Sequence, residues 1–477
     1  MRRSNKGYDS FKSPFSWRYG SDEMRRVFSE VHYRALWRRV WVALAEAQAE
    51  YGLISQEELE DLKSKMGAEN IDVERALEIE REIRHDLMAE LKSYSEQCRI
   101  GGGKLHWGAT SADIEDNADI LRMREAMGIV IGRLLDCLKI LSGLISRYKD
   151  LPCLGWTHLQ PAEPMTLGYR FANYAQDLIL DLGLIEYLMA EVLKGKGIKG
   201  AVGSSASFAA ILSGKGKPSD MERRAMEGLG IEAFPISSQT YPRKADFLIL
   251  SALASIAQSA HKFGMDLRHF QSPTLGELQE PFHERQVGSS AMPFKRNPIK
   301  SERMCSLARY VSALPKVAWD NAACTIFERT LDDSANRRVI LPEAFLAIDE
   351  CLRLYSEILN GLTVNERAIE ENLRRFGPWA GLERVLMRLV ERGMDRQEAH
   401  ERLRIHSQRA WRAAMEGLGN PLPDLLRGDA EISKRLSPEE IEELLDARGH
   451  VGDCRDRCLN LLSQLDGILG RYRRGAG

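Results

Sequence analysis

Residues 249–270 read "ILSALASIAQSAHKFGMDLRHF", with apolar side chains at Ile249, Leu253, Ile256, Ala260, Phe263, Leu267 and Phe270. The steps between them are 4, 3, 4, 3, 4 and 3 residues. Such a sustained spacing gives a helix one continuous apolar seam and predicts shallow packing in a long bundle. Met127, Ile131, Leu134, Leu138, Leu141, Ile145 and Tyr148 repeat the pattern. Residues 171–192 are apolar on several faces (Phe171, Tyr174, Leu178, Leu182, Ile185, Leu188), as in a helix buried on more than one side. Three such helices make rods rather than a small compact domain. Rods with apolar sides pair with other rods, which predicts a homo-oligomer.

Outward from this centre, residues 24–51 and 56–94 are amphipathic and charge-rich, which suggests a smaller helical domain. Residues 421–440, "PLPDLLRGDAEISKRLSPEE", are broken by prolines and a glycine and predict a terminal domain of short helices that begins near Val364. Strand signals are few. The expected fold is all-α in three domains: 1–110, a long-helix bundle over 111–363, and 364–477.

Composition narrows the function. The 477 residues include 67 basic and 69 acidic side chains, a net charge of −2. That balance argues against broad attraction to nucleic acid or membrane, so cationic chemistry must be local. No run of uncharged apolar residues is long enough to span a bilayer. The start, "MRRSNKGYDSFKSPF", is basic but lacks the apolar core of a secretory signal. Eight scattered cysteines without a CxxC pair fit a reducing cytoplasm and argue against zinc or a disulfide frame. Cys454 and Cys458, one helical turn apart, read as structural.

Polar islands interrupt the helical pattern, and function is expected there. In the first, Arg84, His85 and Asp86 are consecutive, and "GATSADIEDN" places Thr110 and Ser111 before an acidic first turn. Ser111 there also reads as a plain helix cap, followed by Asp113 and Glu115 where the helix dipole favours them. The second, "LGWTHLQPAEPMTLG", sets Thr157, His158 and Gln160 before Pro161. A histidine between helices suits general acid or base work because it titrates near neutrality, although a surface histidine would look the same. In the third, "SSQTYPRK", Gln239 is a candidate amide ligand.

The fourth island is "GSSAMPFKRNPIKSER" followed by "FERTLDDSANRR". Lys295 suits a carboxylate, Asn297 both donates and accepts, and Pro293 and Pro298 stiffen the loop. Arg303, Arg329 and Arg338 are separate cations suited to phosphate or carboxylate, while Asp332 and Asp333 will pair with some of them. Near the start, Arg18 beside Tyr19 suits a phosphate and a stacked base.

"GSSAMPFKRNP" resembles the signature G-S-S-x-M-P-x-K-x-N-P of the fumarase/aspartase superfamily. With "RHDLMAEL", "GATSADIEDN", "THLQPAEP", "SQTYPRK", "KRNPIKSER" and "FERTLDDSANRR", the chain looks like the adenylosuccinate lyase family from about Trp17 to beyond Glu370. Leu159 and Phe294 depart from the family's usual residues without touching a group that does chemistry. The resemblance implies an all-α homotetramer with active sites shared between subunits, acting on small-molecule nucleotides without metal or redox cofactor. The implied reaction is β-elimination of fumarate from adenylosuccinate, giving AMP, and from the succinylcarboxamide ribotide SAICAR, giving AICAR.

By resemblance Ser289 is the base and His158 the acid, Lys295 and Asn297 grip the carboxylate that gathers charge, and Glu302 orients His158. Arg18, Tyr19, Arg329, Ser334 and Arg338 match nucleotide and phosphate contacts. Arg84, His85, Asp86, Thr110, Ser111, Thr157, Gln239 and Arg303 match contacts to the rest of the substrate. Another superfamily lyase, such as an argininosuccinate lyase, would share the signature loop but have no use for the arginines around it. A catalytically silent scaffold would have no need of Ser289 and His158.

Overall fold

A computed structural model describes residues 9–475; the first eight residues, part of the basic start, lie outside them. Five long helices dominate: Ser111–Tyr148, Leu167–Glu191, Lys244–Phe270, Ile299–Cys324 and Ser334–Asn360. The seams read from the sequence lie inside, save Ile131, which is only partly buried. Ile249, Leu253, Ile256, Ala260, Phe263 and Leu267 are at most 1% exposed, and Met127, Leu134, Leu138, Leu141 and Ile145 are fully buried. The Leu167–Glu191 helix is different. Its Phe171, Leu178, Leu182 and Ile185 are buried, but Leu180, Leu184 and Tyr187 are 65%, 39% and 56% exposed. The six side chains read as buried from the sequence are so, and these three form a further apolar stripe that is open in the single chain.

The chain forms two compact units, and each long helix gives one stretch to each. The first takes the residues up to 134 with 180–261 and 304–353. In it the Glu30–Ala49 helix packs along Pro218–Leu229. Polar ties fix the neighbouring long helices: Ser255 and Ser259 hydroxyls each donate to Asp181 at 2.6 Å, and the Arg133 guanidinium donates to Asp349 at 3.0 Å. Buried carboxylates held this way satisfy groups that would otherwise be costly to desolvate.

The second unit takes 135–179, 262–303 and the residues from 354 on. Its Tyr174 and Phe263 rings meet edge-on with centroids 5.2 Å apart, and Phe263 stacks on Tyr355 at 4.3 Å. The segment read as broken helix is indeed Leu422–Arg427, Ala430–Ser433 and Pro438–Leu445, the last with a full capping box at Ser437.

The "LGWTHLQPAEP" island departs from the helical expectation. Pro152–Thr157 and Gln160–Thr166 pair as an antiparallel hairpin whose two-residue turn is His158–Leu159. Both turn residues have positive φ, 53° and 60°. A two-residue primed turn demands that, and it normally recruits Asn or Gly. Neither is present, so the sequence carried no hairpin signal.

Candidate active site

The first unit holds a cleft of about 460 Å³, room for a nucleotide-sized ligand. It gathers nine of the residues singled out from the sequence: Arg84, His85, Asp86, Thr110, Ser111, Gln239, Arg329, Ser334 and Arg338. Local structure explains how. Arg84 closes the Val73–Ile83 helix in the left-handed region (φ 55°), and the chain turns at once into the Asp86–Gln97 helix. Thr110, rather than Ser111, sits at the cap of the next helix, where its backbone N–H donates to Asp113 at 2.9 Å. Ser111 is therefore the first helical residue, and its hydroxyl faces His85 Nε2 at 3.4 Å. Ser334 and Arg338 are one turn apart on the Ser334–Asn360 helix. Gln239 is tethered by its backbone N–H to Glu328 at 3.3 Å.

The wall behind these groups is a buried ionic lattice. Arg243 forms a two-pronged pair with Asp116 at 3.0 Å and a third bond to Asp333 at 2.6 Å. Arg337 bonds Asp246 at 2.7 Å, Asp119 at 3.0 Å and the Tyr241 hydroxyl at 2.6 Å. Burial alone would raise the Asp119 and Asp333 carboxyls, but the neighbouring guanidinium charges outweigh it and hold both below the usual carboxylate range. Asp86 shows the same balance: burial raises it, and the Arg338 bond at 2.5 Å brings it down.

The two arginines expected to face phosphate are thus already paired, Arg329 with Asp333 at 2.7 Å and Arg338 with Asp86. Arg338 is 58% exposed and keeps donors for a ligand. Its neighbour Arg337 is buried. Adjacent helix positions point about 100° apart, so one arginine builds the wall and the next faces the cleft.

Arg18 and Tyr19 do not line this cleft. The Arg18 guanidinium lies over Trp17 at 5.6 Å and Tyr19 at 5.9 Å, and Arg25 donates to the Tyr19 carbonyl at 2.9 Å.

The other residues belong to the second unit. Thr157 ends the first hairpin strand, and His158 stands exposed at its tip without a side-chain hydrogen bond among the described residues. Glu302, in the first turn of the Ile299–Cys324 helix, faces Arg268 at 3.8 Å. No hydrogen bond joins it to His158 among the described residues. Arg303 follows it and is partly buried.

The signature loop, residues 288–298, is a closed turn. Asn297 donates to the Gly288 carbonyl at 2.8 Å, and the Lys295 N–H donates to Met292 at 3.0 Å. Ser289 Oγ accepts backbone N–H groups from Ala291 at 3.3 Å and Met292 at 3.1 Å. The Lys295 ammonium has no partner among the described residues. A Cβ at Gly288 would lie 2.1 Å from the Lys295 carbonyl oxygen, so only glycine lets the loop close. Gly288→Ala is expected to displace Ser289 and Lys295 together and to lower kcat at least about tenfold. Steady-state turnover near the parent value would contradict this.

Sequence reading missed Glu80, Glu115, Asp116, Asp119 and Arg243 as cleft residues. Glu115 carried a faint signal, lying one helical turn after Ser111. Among the described residues no group of three or more His, Cys, Asp or Glu side chains is placed to hold a metal ion, and no helix is long and apolar enough to cross a membrane.

A long-helix fold with this loop and cleft defines a lyase. The Lyase family model matches residues 18–312, and the fumarate lyase from Mesorhizobium sp. BNC1 superposes with a TM-score of 0.82. That structure is 27% identical, over 95% of this chain and 99% of its own. Residues 383–458 match the model described as Adenylosuccinate lyase C-terminus. The adenylosuccinate lyase of Saccharomyces cerevisiae is 39% identical over 93% of this chain and 92% of its own. That of Schistosoma mansoni is 40% identical over 88% of each. The chain belongs to the adenylosuccinate lyase family.

Proposed function

We propose that the protein splits adenylosuccinate into AMP and fumarate, and SAICAR into AICAR and fumarate, in the cytoplasm as a homotetramer with shared active sites. The observation that carries the substrate reading is the cleft, where Arg329, Ser334 and Arg338 converge with the Arg84–Asp86 and Thr110–Ser111 islands. Superfamily substrates without a phosphate would have no use for these arginines. The open stripe Leu180, Leu184 and Tyr187 supports association with further copies, because an apolar face along a long helix is stable only when covered. The three-part division at about 110 and 363 stays part of this reading.

In the elimination, Ser289 Oγ takes the proton from the succinyl carbon beside a carboxylate. The electron pair left behind forms the fumarate double bond as the C–N bond breaks. The leaving nitrogen takes that bond's electrons and a proton from His158. A serine hydroxyl is a weak base unless its alkoxide is stabilised, and the Ala291 and Met292 N–H groups already aimed at Ser289 Oγ supply fixed donors. The ammonium of Lys295, without a partner among the described residues, and the loop's Asn297 suit the carboxylate that gathers charge in the carbanion. Glu302 has the role of polarising His158, across a subunit boundary.

Incubating the purified protein with each substrate and measuring fumarate tests the reading; turnover of neither overturns it. Arg338→Ala is expected to weaken AMP binding about 10- to 100-fold, the loss of a charge-assisted phosphate contact. Unchanged AMP affinity by calorimetry would remove Arg338 from the phosphate site.

A further inference from the structure

We propose that Glu115 is a binding residue of the cleft: its carboxyl stays protonated and donates its O–H to the phosphate of the bound nucleotide. The inference rests on the nucleotide reading above and assigns a group that this reading leaves unused.

Glu115 lines the cleft one turn after Ser111 on the same helix face. Three carboxylates act on it, and each has its own guanidinium: Asp86 has Arg338, Asp116 has Arg243, and Asp119 has Arg122 and Arg337. Glu115 has no hydrogen bond or ion pair among the described residues. The arginines are spent on its neighbours, so an ionised Glu115 would face three anions without compensation. Burial first, then the charges of Asp86, Asp116 and Asp119, push its carboxyl up to about 8, and Arg338 opposes the shift.

Groups on other elements also border the cleft, namely Glu80, His85, Tyr33 and Arg329. Glu80 adds negative charge, and Arg329 is paired with Asp333. Tyr33 is pushed well above its ordinary value by burial and then by Asp119, so it stays neutral through the range in question.

A phosphate held by Arg338 brings further negative charge to this place. An ionised Glu115 repels it, whereas a protonated one offers the donor that a phosphate oxygen accepts. Binding therefore retains the proton, and affinity falls as pH rises through the Glu115 value.

The test is AMP affinity in phosphate-free buffer at pH 7 and pH 9, for the parent protein and for Glu115→Gln, which keeps a neutral donor. The dissociation constant of the parent is expected to rise about tenfold between the two pH values, as linkage to one group near 8 requires. That of Glu115→Gln should change less than about threefold. A flat parent profile, or an equal slope in Glu115→Gln, overturns the proposal. Should the variant fail to fold, adenosine replaces it as the control on the parent protein, and its affinity should not share the fall. An equal fall for adenosine overturns the role at phosphate. Absence of AMP binding and of turnover at pH 7 would sink the nucleotide reading itself, whereas AMP binding without a pH slope sinks only the role of Glu115.

Discussion

Ser289→Ala is expected to lower kcat by about 10²–10⁴-fold while leaving AMP affinity within about twofold of the parent. The substitution removes one oxygen from a turn held by other bonds, Asn297 to the Gly288 carbonyl and the Lys295 N–H to Met292. The Ala291 and Met292 N–H groups that lose their acceptor lie in an exposed stretch where water replaces it. The loop's shape therefore survives, and the loss falls on proton transfer. His158→Ala should cost a similar factor for the opposite transfer, to the leaving nitrogen. Single-turnover measurement of fumarate isolates the chemical step from product release. A Ser289→Ala protein with near-normal single-turnover rate would show that the proton goes elsewhere.

The second large effect concerns stability. Arg243→Leu is expected to destabilise the fold by about 3–5 kcal/mol, because it leaves the buried Asp116 without its ion-pair partner and takes from the buried Asp333 one of its two, Arg329 remaining. The cost lies in the orphaned charges rather than in the worth of the pair, so it should depend on pH. The folded-state value of Asp333 is held down, so its contribution is present above the ordinary carboxylate range and lost as pH falls through the depressed value. In Arg243→Leu that depression is weakened, with Arg329 still paired to Asp333, and the parent's advantage should shrink as the solution is acidified. Denaturant midpoints across pH 3–7 measure this, and a midpoint unchanged from the parent at pH 7 would contradict it.

The helical seams were legible because burial on one face imposes a period, and Ile249 to Phe270 keep it without a break. The signature loop was legible because Gly, Pro and a dense polar set in fixed order leave little freedom. The hairpin at His158 was not, because its turn runs through two residues that ordinarily avoid positive φ. Local propensity misleads where the surrounding pairing, Thr157 with Gln160, decides the backbone. Nor does a sequence say which of Arg337 and Arg338 faces inward, since that depends on the helix's rotation against Tyr241 and Asp246. Glu115 escaped notice for a related reason: its setting comes from burial in the folded cleft and then from Asp86, which lies 29 positions away in the chain.

The prior engagement of Arg338 with Asp86 and of Arg329 with Asp333 bears on life in a crowded solution of anions. Bare guanidinium groups would collect chloride or any passing carboxylate. Here each newcomer competes with a tethered carboxylate that pays no translational entropy to stay. A singly charged ion gains nothing by the exchange, while a phosphate dianion brings twice the charge to the same cation. The two aspartates thus act as resident competitors that favour a ligand of higher charge.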